Sequence, residues 1–375
     1  MNPAPGRAGA VLSVDLDALQ ANYRLLARQS GGARTGASVK ANGYGTGLVP
    51  ATRALHAAGC RDFFVAFPEE GAAVRLLVPD VAIYVLCGLF KGEAAFYEQS
   101  ALIPVLAQLD EVDEWSRHCR DRGTRLAAAL HVETGINRLG IGPQELTQLV
   151  GRPAWRDAFD LKLLVSHLAR ADERREAMND EQLAKFDGLR RHFPSVPASL
   201  ANSPGIFLGP RFRFDLVRPG IGLYGGNPFA EGDNPFRTVV RLKGRVLQVK
   251  SIEPGEAVGY GSTWRASRPT RLAVIGAGYG DGYPRALGSG PPETPARVYI
   301  AGRFAPVVGR VSMDMTMIDA TDIPENLLSR GIEAELIGDH VTLEEVGRLA
   351  GTISYEILTR LGTRYARLYS GGDSQ

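Results

Sequence analysis

Between residues 35 and 224 the chain alternates two textures, and this alternation constrains the fold more than any other feature. Short apolar, β-branched runs recur as ASVKA (37–41), DFFVAF (62–67), VAIYVLC (81–87), ALIPVL (101–106), LAAALHVE (126–133), LKLLVSHL (161–168), VPASLA (196–201) and DLVRPGI (215–221). Most are followed by amphipathic stretches rich in Ala, Leu, Arg and Glu, such as VPATRALHAAG (49–59) and EEGAAVRLL (69–77). A helix between two strands returns the chain to the same end of the sheet, so its strands run parallel. Eight such units argue for an α/β fold built as a (β/α)8 TIM-type barrel. A doubly wound sheet is the competing architecture.

The segment GGNPFAEGDNPF (225–236) is dense in turn residues and has little periodicity, so it reads as a linker. Beyond it the texture changes to strands joined by turns: RTVVRLKGRVLQVKSI, TRLAVIGAGYG and ARVYIAGRFAPVVGRVSMDMTMID. A late helix over TLEEVGRLAGTISYEILTRL starts at the N-cap candidate Thr342, with Glu345 three residues on. The expected division is a barrel over 14–235 and a mostly-β C-terminal domain over 236–375. Residues 1–13 are expected to form a strand packing with that second domain, although the barrel is another neighbour open to AVLSVDL (10–16).

Charge narrows the partners. Forty-three basic residues against 41 acidic ones leave a net charge of +2, too balanced to predict nucleic acid or an anionic membrane. Three cysteines lack metal-ligand spacing and are odd in number, which argues against a disulfide framework. No stretch approaches the roughly 20 apolar residues that span a bilayer, and the N-terminus has no apolar signal region. A cytoplasmic protein is expected. The basic residues divide into 37 arginines and six lysines, so a lysine in an unusual setting stands out.

In a barrel, side chains at the C-terminal ends of the strands face the active site. Those positions hold Lys40, Arg138, His167, Asn202 with Ser203, and Arg218. An anionic small molecule is the natural partner of such a mouth. Lys40 has two readings: a desolvated amine fit to form a Schiff base, or a lysine paired with a nearby carboxylate. The loops after strands seven and eight commonly bind phosphate in barrels. Here they read ANSPG (201–205) and RPGIGLYG (218–225), with the Ser203 hydroxyl and the Gly220–Ile221 backbone as donors, unless they are ordinary turns. A lysine beside a phosphate cradle is what pyridoxal phosphate requires. In the second domain, AVGYGSTW (257–264) and GAGYGDGYPR (276–285) concentrate Tyr260, Tyr279 and Tyr283, phenols able to act as acids or bases.

SVKANGYGTG, HVETGINRLGI, SHLARADE, ANSPG, RPGIGLYGG, VGYGSTW, GYGDGYPR, GRVSMDMTMID and SYEILTRLGTRYARLY resemble, in order, the motifs of the alanine racemases, fold-type III pyridoxal phosphate enzymes. The match runs from LSVDLDALQANYR (12–24) almost to the C-terminus. The resemblance implies a barrel followed by a β-rich domain, a head-to-tail homodimer with shared active sites, and interconversion of L- and D-alanine. It implies that Lys40 holds the cofactor as a Schiff base. Tyr44, Ser203, Gly220, Ile221 and Tyr355 would bind its phosphate, with Asn202 beside them. Arg218 would face the pyridine nitrogen, supported from behind by His167. Racemisation needs proton transfer on both faces of the substrate carbon. The resemblance assigns Lys40 to one face and Tyr260 of the other subunit to the opposite one. Arg138 and the backbone of Met313 would bind the substrate carboxylate, and Tyr279 would line the entrance.

The implied role is supply of D-alanine for peptidoglycan, with catabolism as the other use that sequence leaves open. The chain departs from the family at several points. His131 stands where members often have a lysine, carbamylated in some, which leaves Glu133, Asn137 or a bound anion to hold Arg138. Thr46 and Ser199 replace frequent histidines. Gly280 and Ser312, beside Tyr279 and Met313, stand where Ala and Cys are commoner. Serine or a broader set of small amino acids is therefore the second substrate reading. A non-catalytic pyridoxal phosphate carrier would resemble the barrel alone. Decarboxylases of this fold are expected to carry a glycine triplet absent here, and metal-assisted aldolases use His and Cys ligands in the β domain. After residue 235 this chain has His340 and no cysteine, so no metal is expected.

Overall fold

The chain enters through strand β1 (Ala10–Asp15) and helix α1 (Leu16–Gln29). Asp15 caps that helix by accepting the Ala18 N–H at 2.8 Å. The structure, a computed structural model, describes residues 3–288 and 294–372; of the ranges expected above, 1–2, 289–293 and 373–375 lie outside it.

All eight apolar runs contain strand, each shorter than its run. β2 (Arg34–Thr35) and β3 (Ala37–Ser38) make the first barrel stave. The others are β4 (Asp62–Val65), β5 (Ala82–Val85), β6 (Ile103–Leu106), β7 (Ala127–His131), β8 (Asp160–Val165), β9 (Ala198–Ser199) and β10 (Leu216–Val217). β3 to β9 pair in sequence order, all parallel. The ring closes through β10. Its flanking N–H groups at Asp215 and Arg218 donate to the carbonyls of Ala198 and Ala201, while Arg34, Gly36 and Ser38 donate to Asp215, Val217 and Pro219. A closed ring excludes the doubly wound alternative. Its interior is packed by Phe64, Tyr84, Val105, Ala129, Leu163, Val165 and Leu216, residues that alternate inward along the strands.

Helices α2 (Lys40–Tyr44), α3 (Leu48–Ala57), α4 (Pro68–Leu77), α5 (Ala94–Gln99), α6 (Leu109–Arg122), α7 (Pro143–Gly151) and α8 (Ala177–Arg190) fill the connections. Two expected site positions shift with the shorter strands. Lys40 does not end the first strand but opens α2, and His167 lies two residues beyond β8. The first strand stops because Ala41, Asn42, Gly43 and Tyr44 all have positive φ, between 51° and 61°, which turns the chain out of the sheet.

The segment 225–236 is packed rather than loose: Phe229 and Phe236 are buried, and Asn227 donates its N–H to Glu344 at 2.6 Å. Beyond it come β11 (Val240–Ile252), β12 (Ala257–Val258), β13 (Trp264–Arg265), β14 (Thr270–Ile275), β15 (Arg297–Ile300), β16 (Arg303–Pro306), β17 (Thr316–Asp319) and β18 (Glu333–Ile337). The last strand is β19 (Ala366–Ser370). Strand β11 organises this part. Its first half pairs with β1 and β18 and its second with β14, while β1 lies between β11 and β19. The late helix starts where expected, with Thr342 accepting the Glu345 N–H at 3.2 Å, but it breaks into α9 (Leu343–Leu349) and α10 (Ser354–Thr359). Gly351, at φ 71°, terminates α9 in the left-handed conformation that closes helix C-termini, and Thr352 donates back to Gly347.

Candidate active site

Ten of the thirteen expected site residues line one cavity of about 630 Å³ at the C-terminal mouth of the barrel. They are Lys40, Tyr44, Arg138, His167, Asn202, Ser203, Arg218, Gly220, Ile221 and Tyr355. A groove of about 1270 Å³ adjoins it and shares Arg138, His167, Asn202 and Tyr355.

Lys40 is half-buried at the wall where β3 gives way to α2. Burial and the charge of Arg138 lower its pKa, with Arg218 adding to the effect and Cys87 and Glu70 opposing it. Its amine is therefore easier to deprotonate than an ordinary lysine's. No ion pair engages Lys40 among the described residues, so the reading of a lysine tied to a carboxylate is not what the geometry holds.

Hydroxyls and backbone donors gather at one end. Ser203 Oγ accepts the N–H of Gly220 at 2.9 Å and of Gly222 at 3.3 Å. Tyr44 stacks on Tyr224 with ring centroids 4.6 Å apart and lies 6.3 Å from Tyr355. The Tyr224 hydroxyl donates to the Ser38 carbonyl, fixing the stack to the first strand. Burial pushes the phenol of Tyr44 up to about 12 and that of Tyr355 up as well, so both remain protonated donors near neutrality. A β-carbon at Gly220 would lie 2.2 Å from the Tyr44 hydroxyl, so only glycine lets the loop and the ring approach.

Arg218 is buried across the cavity. It donates to Ser199 Oγ and to the Ser166 carbonyl, and its Nη2 lies 3.4 Å from His167 Nδ1. Ser199, where a histidine is frequent in the family that the sequence resembles, passes the contact on by donating to the Leu216 carbonyl. Burial and the charge of Arg138 push Arg218 down to about 9, which leaves it cationic at neutral pH. His167 is held well below its ordinary value by burial and by Arg218, so its imidazole is neutral there. The Gln182 amide donates to the His167 carbonyl at 2.8 Å.

The loop after β7 supplies Arg138, whose guanidinium has no ion pair among the described residues. Neither Glu133 nor Asn137 holds it. Glu133 turns onto its own loop: burial works against its charge, but the N–H groups of Gly135, Asn137 and Arg138 hold its carboxyl below the usual range. Asn137 donates to the Gly135 carbonyl. Two polar atoms are buried without partners beside this loop, His131 Nε2 and Glu133 Oε2.

Three expected residues are elsewhere. Tyr260, Tyr279 and Met313 line neither cavity and are 72%, 42% and 53% exposed on the C-terminal domain. Tyr279 and Met313 share a frame: Tyr279 N–H donates to the Ser312 carbonyl and Gly280 N–H to that of Met313. Tyr283, also singled out, is fully buried. Sequence reading missed Glu70, whose carboxylate accepts the Ala41 N–H at 2.6 Å and the Ala66 N–H at 2.9 Å. An acidic pair opening α4 was the available signal; which of Glu69 and Glu70 faces inward needed the fold. Among the described residues no group of His, Cys, Asp or Glu is placed to hold a metal, and no helix is long and apolar enough to cross a membrane.

Two family profiles cover nearly the whole chain. "Alanine racemase, N-terminal domain" matches residues 14–228 and "Alanine racemase, C-terminal domain" matches 239–369. A relative named alanine racemase from Methylobacterium sp. (strain 4-46) is 49% identical over 361 residues, 96% of this chain and 98% of the relative. Another, from Rhodospirillum rubrum, is 47% identical over 97% of both chains. Among solved structures, alanine racemase from Bartonella henselae with covalently bound pyridoxal phosphate superposes with a TM-score of 0.92 at 40% identity, covering 97% of this chain and 100% of that one.

Proposed function

This chain belongs to the alanine racemase family, and from that membership we infer that it is a pyridoxal phosphate-dependent amino acid racemase that interconverts L- and D-alanine. The observation that carries the reading is the convergence of a deprotonatable lysine, a hydroxyl-rich glycine loop and a buried guanidinium on one cavity.

The donor set fits the cofactor. The cradle at Gly220, which a β-carbon would fill, and the hydroxyls of Ser203, Tyr44 and Tyr355 suit a phosphate. Ile221 and Asn202 complete that end, and Lys40 would hold the cofactor covalently. When bound, pyridoxal phosphate withdraws electrons from the substrate Cα and makes its hydrogen removable near neutral pH. Arg218 would face the ring nitrogen, with His167 Nδ1 3.4 Å behind it. A guanidinium that stays protonated does not hand its proton to that nitrogen, which restrains side reactions such as transamination. Arg138, free of carboxylate partners among the described residues, binds the substrate carboxylate. The Lys40 amine takes or returns a proton at Cα on one face.

The opposite face needs a second base. Tyr260 cannot serve its own chain's cavity, and its exposure with Tyr279 and Met313 supports a homodimer in which this face completes the partner's site. Tyr260 then acts at the far side of Cα, the Met313 backbone joins Arg138 at the carboxylate, and Tyr279 lines the entrance. We take the second domain as 236–375, with residues 1–13 belonging to it; the place of β1 between β11 and β19 supports this. Supply of D-alanine for peptidoglycan in the cytoplasm is the proposed role. The three cysteines, all free, suit a reducing compartment.

Chiral analysis of products from a panel of L- and D-amino acids tests the reading. Inversion of alanine in both directions, lost in Lys40→Ala, is expected. Exchange of the Cα hydrogen without inversion would overturn it. Preferred inversion of serine would transfer the activity to a broader substrate class.

A further inference from the structure

The lysine of this site is followed by a backbone segment that L-residues disfavour. Ala41, Asn42 and Tyr44 have φ of 53°, 55° and 51°, a conformation costing roughly 1–2 kcal/mol at each non-glycine residue. Most bonds that hold the turn are local. Gly43 N–H donates to the Val39 carbonyl at 2.8 Å, Gly45 N–H to that of Ala41 at 2.9 Å, and Asn42 Oδ1 accepts the Leu48 N–H at 2.9 Å.

Other ties leave the turn: Arg367 donates to the Gly45 carbonyl and Tyr369 to that of Thr46, and one reaches the residue next to the lysine. The N–H of Ala41, the residue directly after Lys40, donates to Glu70 Oε1 at 2.6 Å. The other oxygen of the same carboxylate accepts the N–H groups of Ala66 at 2.9 Å and Phe67 at 3.4 Å, where β4 passes into α4. Glu70 therefore joins the lysine's turn to the next barrel unit. It is half-buried, whereas its neighbour Glu69 is exposed.

Its charge also acts on the amine. After burial, the charged groups that act most on Lys40 are the cations Arg138, from the loop after β7, and Arg218, after β10, against the Cys87 thiol, after β5, and Glu70, from α4; His167, after β8, is coupled to Lys40 as well but is neutral. Glu70 is the one carboxylate in that set.

We propose that Glu70 is a positioning residue for Lys40, pinning the left-handed turn that carries the lysine and opposing the two arginines with a fixed negative charge. This rests on Lys40 being the reactive lysine, as proposed above. Both parts can be separated by substitution. Glutamine has one acceptor oxygen for Ala41 N–H, removes the charge and turns its NH2 toward the N–H groups of Ala66 and Phe67, loosening that end; alanine removes the charge and both acceptors.

The test reads the amine without the cofactor. Apoenzyme is acylated across a pH series, and modification of each of the six lysines is followed by peptide mass. In Glu70→Gln the midpoint for Lys40 is expected to fall by about 0.5 pH unit or more, while the other five lysines and the control Glu69→Gln stay at parental values. In Glu70→Ala holoenzyme, kcat is expected to fall on the order of tenfold or more, as for loss of a charged hydrogen bond, with KM changed far less. Glu70→Gln is expected to retain most of that kcat at its shifted optimum pH. An unmoved Lys40 midpoint in both variants, or a Glu70→Ala enzyme of parental kcat, would overturn the proposal. An active Lys40→Ala enzyme would instead sink the reading on which it rests.

Discussion

At the scale of single residues, the site is set by what is buried beside what. His131 lines the cavity at the barrel mouth. Its imidazole is pushed down to about 4 by burial first and then by Arg218 and Arg138, against the pull of Glu133. It is neutral at pH 7, so it brings no further cation to a mouth that already holds Arg138, Arg218 and Lys40. The cost appears on acidification. The unfolded chain takes up this proton near 6.5 and the folded chain only near 4. Stability is therefore unaffected by this group above about 6.5 and declines as the pH falls toward 4, at about 1.4 kcal/mol per pH unit and on the order of 3 kcal/mol in all. His131→Asn should shrink the loss of denaturation midpoint between pH 7 and 4.5 relative to the parent. An unchanged loss would show that the imidazole is not held neutral. Gly220 is constrained by space instead. Gly220→Ala places a methyl against the Tyr44 hydroxyl, and cofactor affinity, titrated into apoenzyme by fluorescence, should weaken roughly tenfold or more.

Elements matter because the site is made where they end. Glu70 was legible as an acidic residue in a helix's first turn, but its bond to Ala41 joins residues 29 apart and follows only from β3 and β4 being adjacent. The late helix reads as continuous from its apolar spacing, yet Gly351 splits it so that α10 presents Tyr355 to the barrel mouth. Just after α10, Arg364 clamps the two turns that carry Tyr279 and Met313. Its Nε reaches Asp281 at 2.6 Å, and its Nη1 reaches Asp314 at 2.8 Å. Asp281 in turn accepts the Gly278 N–H. Arg364→Ala should loosen this face. The expected result is a several-fold rise in KM for alanine with cofactor affinity unchanged. A loss of cofactor with no change in KM would place the clamp's effect elsewhere.

For the whole molecule, the decisive observation is that the expected site residues fall on two separate surfaces of one chain. Its barrel mouth has Lys40 and Arg138, and its C-terminal domain exposes Tyr260. If each site takes one part from each subunit, Lys40→Ala and Tyr260→Phe chains mixed under exchange should complement. Half of the dimers would be mixed, each with one intact site, giving roughly a quarter of parental activity. Complementation that fails with mixed dimers present would sink the shared-site arrangement. Tyr260→Phe alone should lose racemisation in both directions, because the equilibrium between enantiomers fixes the ratio of the two kcat/KM values, yet keep solvent exchange of the Cα hydrogen for the one enantiomer that Lys40 deprotonates; exchange retained equally for both enantiomers would remove its assignment to one face.

Much of this was legible in order along the chain. Eight apolar runs with helical stretches between them specify strands, and strands alternating with helices must lie parallel; periodicity is a local property, and local chemistry dictates it. The lysine, the glycine loops and the arginines could be placed at strand ends for the same reason. What periodicity does not carry is distance through space. That β1 lies between β11 and β19, that Glu70 reaches the turn after Lys40, and that Arg364 joins the turns of Tyr279 and Met313 are consequences of packing. Each joins segments far apart in sequence, and such pairings are selected by burial and hydrogen-bond satisfaction in the folded chain rather than by any residue's own preference.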